Sequence, residues 1–98
     1  MKPIEQAIVT KLSRDLDPST LAVTNESFMH SVPAGSESHF KLIVVSEKFE
    51  SKRLVQRHQM VYATLADELA GPVHALAIHT YTSKEWQVKE GGAPDSPK

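Results

Sequence analysis

The sequence contains no cysteine among its 98 residues. Disulfide bonds, a thiolate zinc site, a thiol nucleophile and an iron–sulfur cluster held by this chain alone are therefore excluded. No apolar run approaches the roughly 20 residues that a membrane span needs. The N-terminal stretch is too polar for a signal peptide and lacks the composition of an organelle transit sequence. We expect a cytoplasmic protein that does not enter a membrane.

An excess of charge of one sign is also missing. Eleven Lys+Arg against twelve Asp+Glu give a formal net charge of −1. This balance excludes a strongly basic protein that binds nucleic acid over most of its surface, although it permits a local basic patch. The chain is long enough for one hydrophobic core and too short for two domains. Its unusual feature is a set of five histidines.

The spacing of apolar residues predicts an α+β domain. In chain order we expect a helix over 3–16, strands over 20–25 and 38–47, a helix over 54–69, a strand over 73–81 and a short helix from Thr82. The first two strands form a hairpin with a long loop, and the helix between the second and third strands favours a parallel connection. Helices then gather on one face of a small three-stranded mixed sheet.

The domain is predicted to occupy residues 1–90. Residues 91–98 contain two glycines and two prolines, so we expect them to form a disordered tail. Trp86 is predicted to anchor the last short helix. No catalytic Ser-His-Asp, Gly-x-Ser-x-Gly or His-Glu-x-x-His pattern occurs, and we therefore expect that the protein is not an enzyme.

Each histidine has its own predicted role. His58 lies in the apolar arc of the long helix, where a packed structural residue is expected. His74 and His79 are five residues apart on one strand, so they face opposite sides and cannot share one metal ion. His30 lies in the long loop and becomes a metal ligand only if the loop folds towards His74. His39 is predicted to be an ordinary surface residue.

Four basic residues, Lys48, Lys52, Arg53 and Arg57, lie around the start of the long helix. They form the best candidate for binding nucleic-acid phosphates. A solvated turn, in which two neighbouring glutamates dilute the charge, is the alternative. If all four charges contact phosphates, the logarithm of affinity should fall with the logarithm of salt concentration at a slope of about −3.6.

Several stretches together resemble the BolA family. They are NES at 25–27, HSVPAGSESHFK at 30–41, RH at 57–58, VHALA at 73–77 and KEW at 84–86. The resemblance covers roughly residues 4–87, and HTYT at 79–82 is more similar to bacterial than to eukaryotic members. One departure is Ser51, which stands where the family signature has glycine.

The resemblance implies a fold related to class II KH domains, in the order αββααβ, with a short helical turn near 52–56 splitting the long helix. It also implies a DNA-binding transcriptional regulator linked to stress response and cell morphology. The alternative is a partner of a CGFS-type monothiol glutaredoxin. The two proteins would share a [2Fe–2S] cluster with glutathione, and the isolated chain would hold no cofactor.

By position, His74 matches the C-terminal cluster ligand of the family, and His30 matches the histidine-or-cysteine position of the loop. The remaining ligands are expected to come from partner cysteine and glutathione. Since this chain has no thiolate, a heterocomplex is required for such a cluster. The free protein is expected to be a monomer or a weak homodimer.

Overall fold

The computed structural model describes residues 2–29, 33 and 35–92. In this part of the chain the helices and strands are α1 (Pro3–Leu16), β1 (Thr20–Asn25), β2 (His39–Val45), α2 (Leu54–Thr64), α3 (Ala66–Ala70), β3 (Ala75–Tyr81) and α4 (Ser83–Gln87). Single turns of 3₁₀ helix occupy Ser27–Met29 and Glu47–Phe49, and a π-helical turn occupies Val88–Gly92. The predicted α+β class and the order of elements are confirmed.

The three strands form one mixed sheet in the order β1-β2-β3. β1 pairs antiparallel with β2, and β2 pairs parallel with β3. This confirms both the hairpin and the helical crossover. α1 ends where expected, since Asp17 adopts a left-handed φ of 44° and Pro18 cannot continue the helix.

The hydrophobic core lies between one face of the sheet and the helices. Side chains on a strand alternate between faces, and Phe40, Leu42 and Val44 of β2 are all buried on the helix side. The helices contribute the buried side chains Ile8, Leu12, Leu16, Val61 and Leu65. In the part of the chain that the structure describes, most of the other face of the sheet has no helical layer, and α4 packs only on its end, where the Trp86 ring lies on Tyr81.

The second and third strands are shorter than predicted because neighbouring turns use their end residues. Ser46 Oγ donates to the carbonyl oxygen of Leu16 at 2.6 Å and accepts from the Lys48 N–H at 3.1 Å. This capping ends β2 at Val45. At the start of β3, the Val73 N–H donates to a carbonyl oxygen of α3 and is therefore lost to the sheet.

The turn over 48–53 is less polar than its sequence suggests. Phe49 is fully buried in the core, so the turn is anchored from inside. Ser51 has a positive φ of 62°. For an L-residue this left-handed region costs about 1–2 kcal/mol, which explains physically why glycine suits the position.

We expect Ser51→Gly to raise the free energy of unfolding by about 0.5–1 kcal/mol, since the relieved strain exceeds the entropy that glycine loses on folding. Ser51→Ala keeps the strain and serves as the control, with no gain expected. Urea denaturation of the three proteins measures the difference. A glycine variant no more stable than the alanine variant would show that the turn is not strained.

The long helix predicted over 54–69 is broken, and the break is not near 52–56. Leu65, with φ −104° and ψ 22°, separates α2 from α3. The interruption keeps Leu65 fully buried while α3 turns Glu68 towards α1. There Glu68 Oε2 accepts a hydrogen bond from Lys11 Nζ at 2.7 Å.

The buried face of α2 also differs from the predicted apolar arc. Leu54, Val55 and Tyr62 are 62%, 57% and 44% exposed. Arg57 and Met60, which lay outside the predicted arc, are half-buried instead. The observed face is rotated from the predicted arc: Val61, at the edge of that arc, is fully buried, and Met60 packs against the core.

His58 and Trp86, which were predicted to have structural roles, lie on α2 and α4. His58 is half-buried, and its Nε2 atom is buried without a hydrogen-bond partner among the described residues. The hydrogen bond expected of a packed histidine is therefore not formed by that nitrogen. The Trp86 ring lies 5.1 Å from the Tyr81 ring between centroids, which ties α4 to the end of β3.

The C-terminal region is described as far as residue 92. Residues 91 and 92 belong to the π-helical turn, whereas 93–98 lie outside the described residues. The predicted tail therefore stays a prediction. None of the helices in the described ranges is long and apolar enough to cross a membrane.

Candidate functional site

His74 lies immediately before β3, beside the start of β2. The backbone N–H groups of His74 and Ala75 both donate to the Ser38 carbonyl oxygen, at 2.8 and 3.2 Å. This pairing brings His74 next to His39, with ring centroids 6.3 Å apart and an interplanar angle of 71°. His74 is exposed and His39 is half-buried.

Two serines fix the start of β2 and therefore the place of this histidine pair. Ser27 Oγ accepts from the backbone N–H groups of Ser38 and His39, at 2.9 and 3.1 Å. Ser38 Oγ is hydrogen-bonded to His39 Nδ1 at 2.8 Å. Asn25 Nδ2 donates to the Ser36 carbonyl oxygen at 2.9 Å, which closes the base of the loop.

The histidine pair offers two imidazoles but no complete metal site. In the described ranges, no group of three or more histidines, aspartates and glutamates could hold a metal ion. His30, the second predicted ligand, lies outside the described residues. Imidazole is an established ligand of [2Fe–2S] iron, and His74 is open to a partner that supplies thiolates. These donors fit a cluster whose remaining ligands come from a second protein, rather than a cluster held by this chain alone.

Lys48, Lys52 and Arg53 are exposed on the turn between β2 and α2; together they are called the basic turn below. Arg53 directly precedes α2, and its backbone N–H donates to Gln56 Oε1 at 2.8 Å. The N-terminal amides of a helix carry partial positive charge. The basic turn and this helix end therefore offer phosphates positive groups, with the exposed Glu47 and Glu50 beside Lys48.

Arg57 is not free like its neighbours. Its Nη1 and Nη2 atoms donate to Glu85 Oε1 and Oε2 at 2.7 and 3.1 Å, and its Nε donates to the Lys52 carbonyl oxygen at 3.0 Å. The guanidinium also lies 5.8 Å from the Phe49 ring centroid. With its side chain only 12% exposed, Arg57 joins α2 to α4, and its charge is neutralised by Glu85.

This ion pair shifts the pKa of both partners. The hydrogen bond from Arg57, helped by the Thr82 backbone N–H, lowers the pKa of Glu85. The Glu85 hydrogen bond raises the pKa of Arg57. Because the pKa of Glu85 is lower in the folded state, the stability that it contributes is fully present above the unfolded-state pKa and is lost as pH falls.

We expect Glu85→Gln to lower the free energy of unfolding by about 0.5–1 kcal/mol at neutral pH, because the carboxylate of the pair is half-exposed and water screens it. The difference from the wild type should stay constant between about pH 6 and 8 and narrow below about pH 4.5. Urea denaturation across this pH range measures it, with Glu90→Gln as the exposed control. A difference that widens in acid would contradict the assigned ion pair.

The sequence alone did not indicate the roles of two residues at these surfaces, His39 and Glu85. His39 was predicted to be an ordinary surface residue, yet the parallel register pairs it with Ala75 and so places it beside His74. That register could have revealed the pair. The Glu85 partner of Arg57 lies 28 residues away, and no local pattern indicates it.

The molecule is thus a small α+β domain with two separate candidate surfaces, and comparisons with known proteins agree on its family. The family described as BolA-like protein matches residues 12–85. The DNA-binding transcriptional regulator BolA of Vibrio cholerae is 57% identical over 94 residues, which cover 96% of this chain and 89% of that protein. The Escherichia coli protein of the same name is 54% identical, with coverages of 86% and 80%.

A solved structure gives the same result. The solution structure of BolA1 from Mus musculus is 50% identical, with a TM-score of 0.81, and the alignment covers 89% of this chain and 71% of that one. The chain belongs to the BolA-like protein family. Its bacterial relatives bear the name of transcriptional regulators.

Proposed function

We propose that this protein is a DNA-binding transcriptional regulator that contacts duplex phosphates through the basic turn, Lys48, Lys52 and Arg53. The observation that carries the proposal is their exposure beside the N-terminal end of α2. The names of the two bacterial relatives support it. The proposal includes no enzymatic step and places the protein in the cytoplasm, with stress response and cell morphology as the processes regulated.

The surroundings of the basic turn support a rigid contact surface. Phe49 is fully buried beneath it, and Arg57 holds the Lys52 carbonyl oxygen. Phosphate contacts fix register and orientation, whereas base edges carry sequence information. Tyr62 and Leu54 are exposed on α2 and are candidates for contacts with bases.

Selection of genomic duplex fragments by the immobilised protein tests this function. At about 0.1 M salt we expect a limited set of fragments to be enriched, because specific sites exceed non-specific ones by orders of magnitude. Protein in which Lys52 and Arg53 are replaced by alanine should retain far less DNA. Uniform retention of all fragments would contradict a sequence-specific regulator, and no retention would contradict DNA binding.

We propose a second function, as the histidine-bearing partner of a monothiol glutaredoxin around a shared [2Fe–2S] cluster. The supporting observation is the exposed His74 beside His39 in a chain without cysteine. When bound, the cluster would supply redox and iron-sensing chemistry. This chain would contribute His74 and His30 as ligands, and the partner and glutathione would contribute thiolates.

The two proposed functions use opposite ends of the sheet. His39 begins β2, and the basic turn follows its last residue, Val45. A strand rises about 3.3 Å per residue, which separates the two surfaces by about 20 Å. A bound partner at His74 therefore leaves the basic turn uncovered unless the partner itself extends across the sheet.

A further inference from the structure

The face of the sheet opposite the helices has an unusual composition. The register places on it the side chains of Thr20, Ala22, Thr24, His39, Lys41, Ile43, Val45, Ala75, Ala77, His79 and Tyr81. None of these residues is acidic, although the chain has twelve carboxylate side chains. In a protein of net charge −1, the strands therefore present only positive or neutral side chains on this face.

A depression of about 130 Å³ lies on this face, lined by Lys41, Ile43, His79, Tyr81 and Lys89. Ile43 of β2 is directly paired with His79 of β3 and lies centrally among these residues. The residue of β3 opposite Lys41 is Ala77. Its short side chain leaves space beside the lysine.

The two lysines of the depression form no ion pair with a carboxylate of the described residues. Among the described residues, Lys11, Arg14 and Arg57 all form ion pairs, whereas neither Lys41 nor Lys89 does. Lys89 Nζ lies 6.0 Å from the Tyr81 ring centroid, a contact that holds the ammonium at the rim without neutralising it. A concavity lined by one sign of charge concentrates counter-ions.

We propose that this depression binds a phosphate group of a small anionic ligand. Lys41 and Lys89 supply ammonium donors, His79 supplies an imidazole and Tyr81 a hydroxyl, which are the donor types that phosphate oxygens accept. The site lies on the open face of the sheet, and its lining includes no residue of the basic turn or of the histidine pair. It is independent of the function proposed above.

A small anion suits the depression better than duplex DNA does. Phosphates of a duplex are spread along its backbone and need cations distributed over a long surface. Here the cations converge on one concavity of about 130 Å³, between strands that carry Ala22, Ala75 and Ala77 rather than further lysines. The charge is complementary to one or two phosphate groups.

Titration with inorganic pyrophosphate at constant ionic strength, followed by ¹H–¹⁵N amide shifts, tests the proposal. We expect saturable shifts centred on Lys41, Ile43 and His79. The double substitution Lys41→Gln and Lys89→Gln should weaken binding about tenfold, since each exposed charge pair contributes roughly threefold to fivefold. The matched control, Lys48→Gln with Lys52→Gln, removes the same charge and should bind pyrophosphate as the wild type does.

A second titration, with duplex DNA, separates the two sources of phosphate. We expect the duplex to shift the amides of the basic turn and to leave those of Lys41 and His79 in place. Equal pyrophosphate affinity in the two double variants would overturn the proposal. So would duplex-induced shifts of the sheet face that pyrophosphate does not reproduce, because the depression would then belong to the DNA surface. Thermal melts confirm that both variants are folded.

Discussion

Replacing His74 with alanine is expected to abolish the visible absorption and circular dichroism of the cluster formed with a monothiol glutaredoxin, iron, sulfide and glutathione. This chain offers only imidazoles to such a cluster, so the loss of an exposed ligand leaves the iron without its donor from this side. His30→Ala should weaken the spectrum, as expected for the second ligand.

The control for this prediction is His79→Ala. His79 lies on the same stretch of chain but within β3, on the open face beside Ile43, and its removal should leave the cluster spectrum unchanged. An unaltered spectrum in the His74→Ala protein would eliminate the proposed ligand role. His74→Ala should also leave DNA affinity unchanged, because the basic turn lies at the other end of β2.

Replacing Lys52 and Arg53 with alanine is expected to weaken duplex binding on the order of 60-fold at about 0.1 M salt. Each phosphate contact contributes a slope of about 0.9 in log affinity against log salt. Two lost contacts then remove nearly two decades of affinity at this concentration. Because phosphate contacts carry little sequence information, preference between duplexes should change much less than affinity.

The matched control removes two charges from elsewhere, in the double substitution Lys41→Gln and Lys89→Gln. Net charge is then the same as in the Lys52, Arg53 double variant, while the basic turn is intact. Fluorescence anisotropy with one labelled promoter fragment compares the proteins. Equal losses in the two variants would mean that overall charge, and not the basic turn, determines DNA binding.

Local signals in the sequence were sufficient for the boundaries that depend on local chemistry. Pro3 and the Asp17-Pro18 pair delimit α1 as observed, and the β-prone run over 20–25 is β1. The start of α4 at Thr82 was also predicted, and there Thr82 Oγ1 accepts from the Glu85 N–H at 3.2 Å. Each of these features is determined by residues within one or two turns of chain.

Features that depend on tertiary contacts could not be predicted in the same way. The break at Leu65 occurs without proline or glycine and follows from packing Leu65 in the core. The rotation of α2 follows from packing Val61 and Met60 against the core, and the bidentate pair between Arg57 and Glu85 joins α2 to α4. For the same reason the sequence overestimated the basic surface, because it could not show that Arg57 is already neutralised.

The salt dependence of DNA binding tests the central claim most directly, because it counts the contacts that the basic turn makes. With Lys48, Lys52 and Arg53 contacting phosphates and Arg57 held by Glu85, the slope of log affinity against log salt should be about −2.7. It should fall to about −0.9 when Lys52 and Arg53 are alanine. An identical slope in the wild type and this variant would contradict the account.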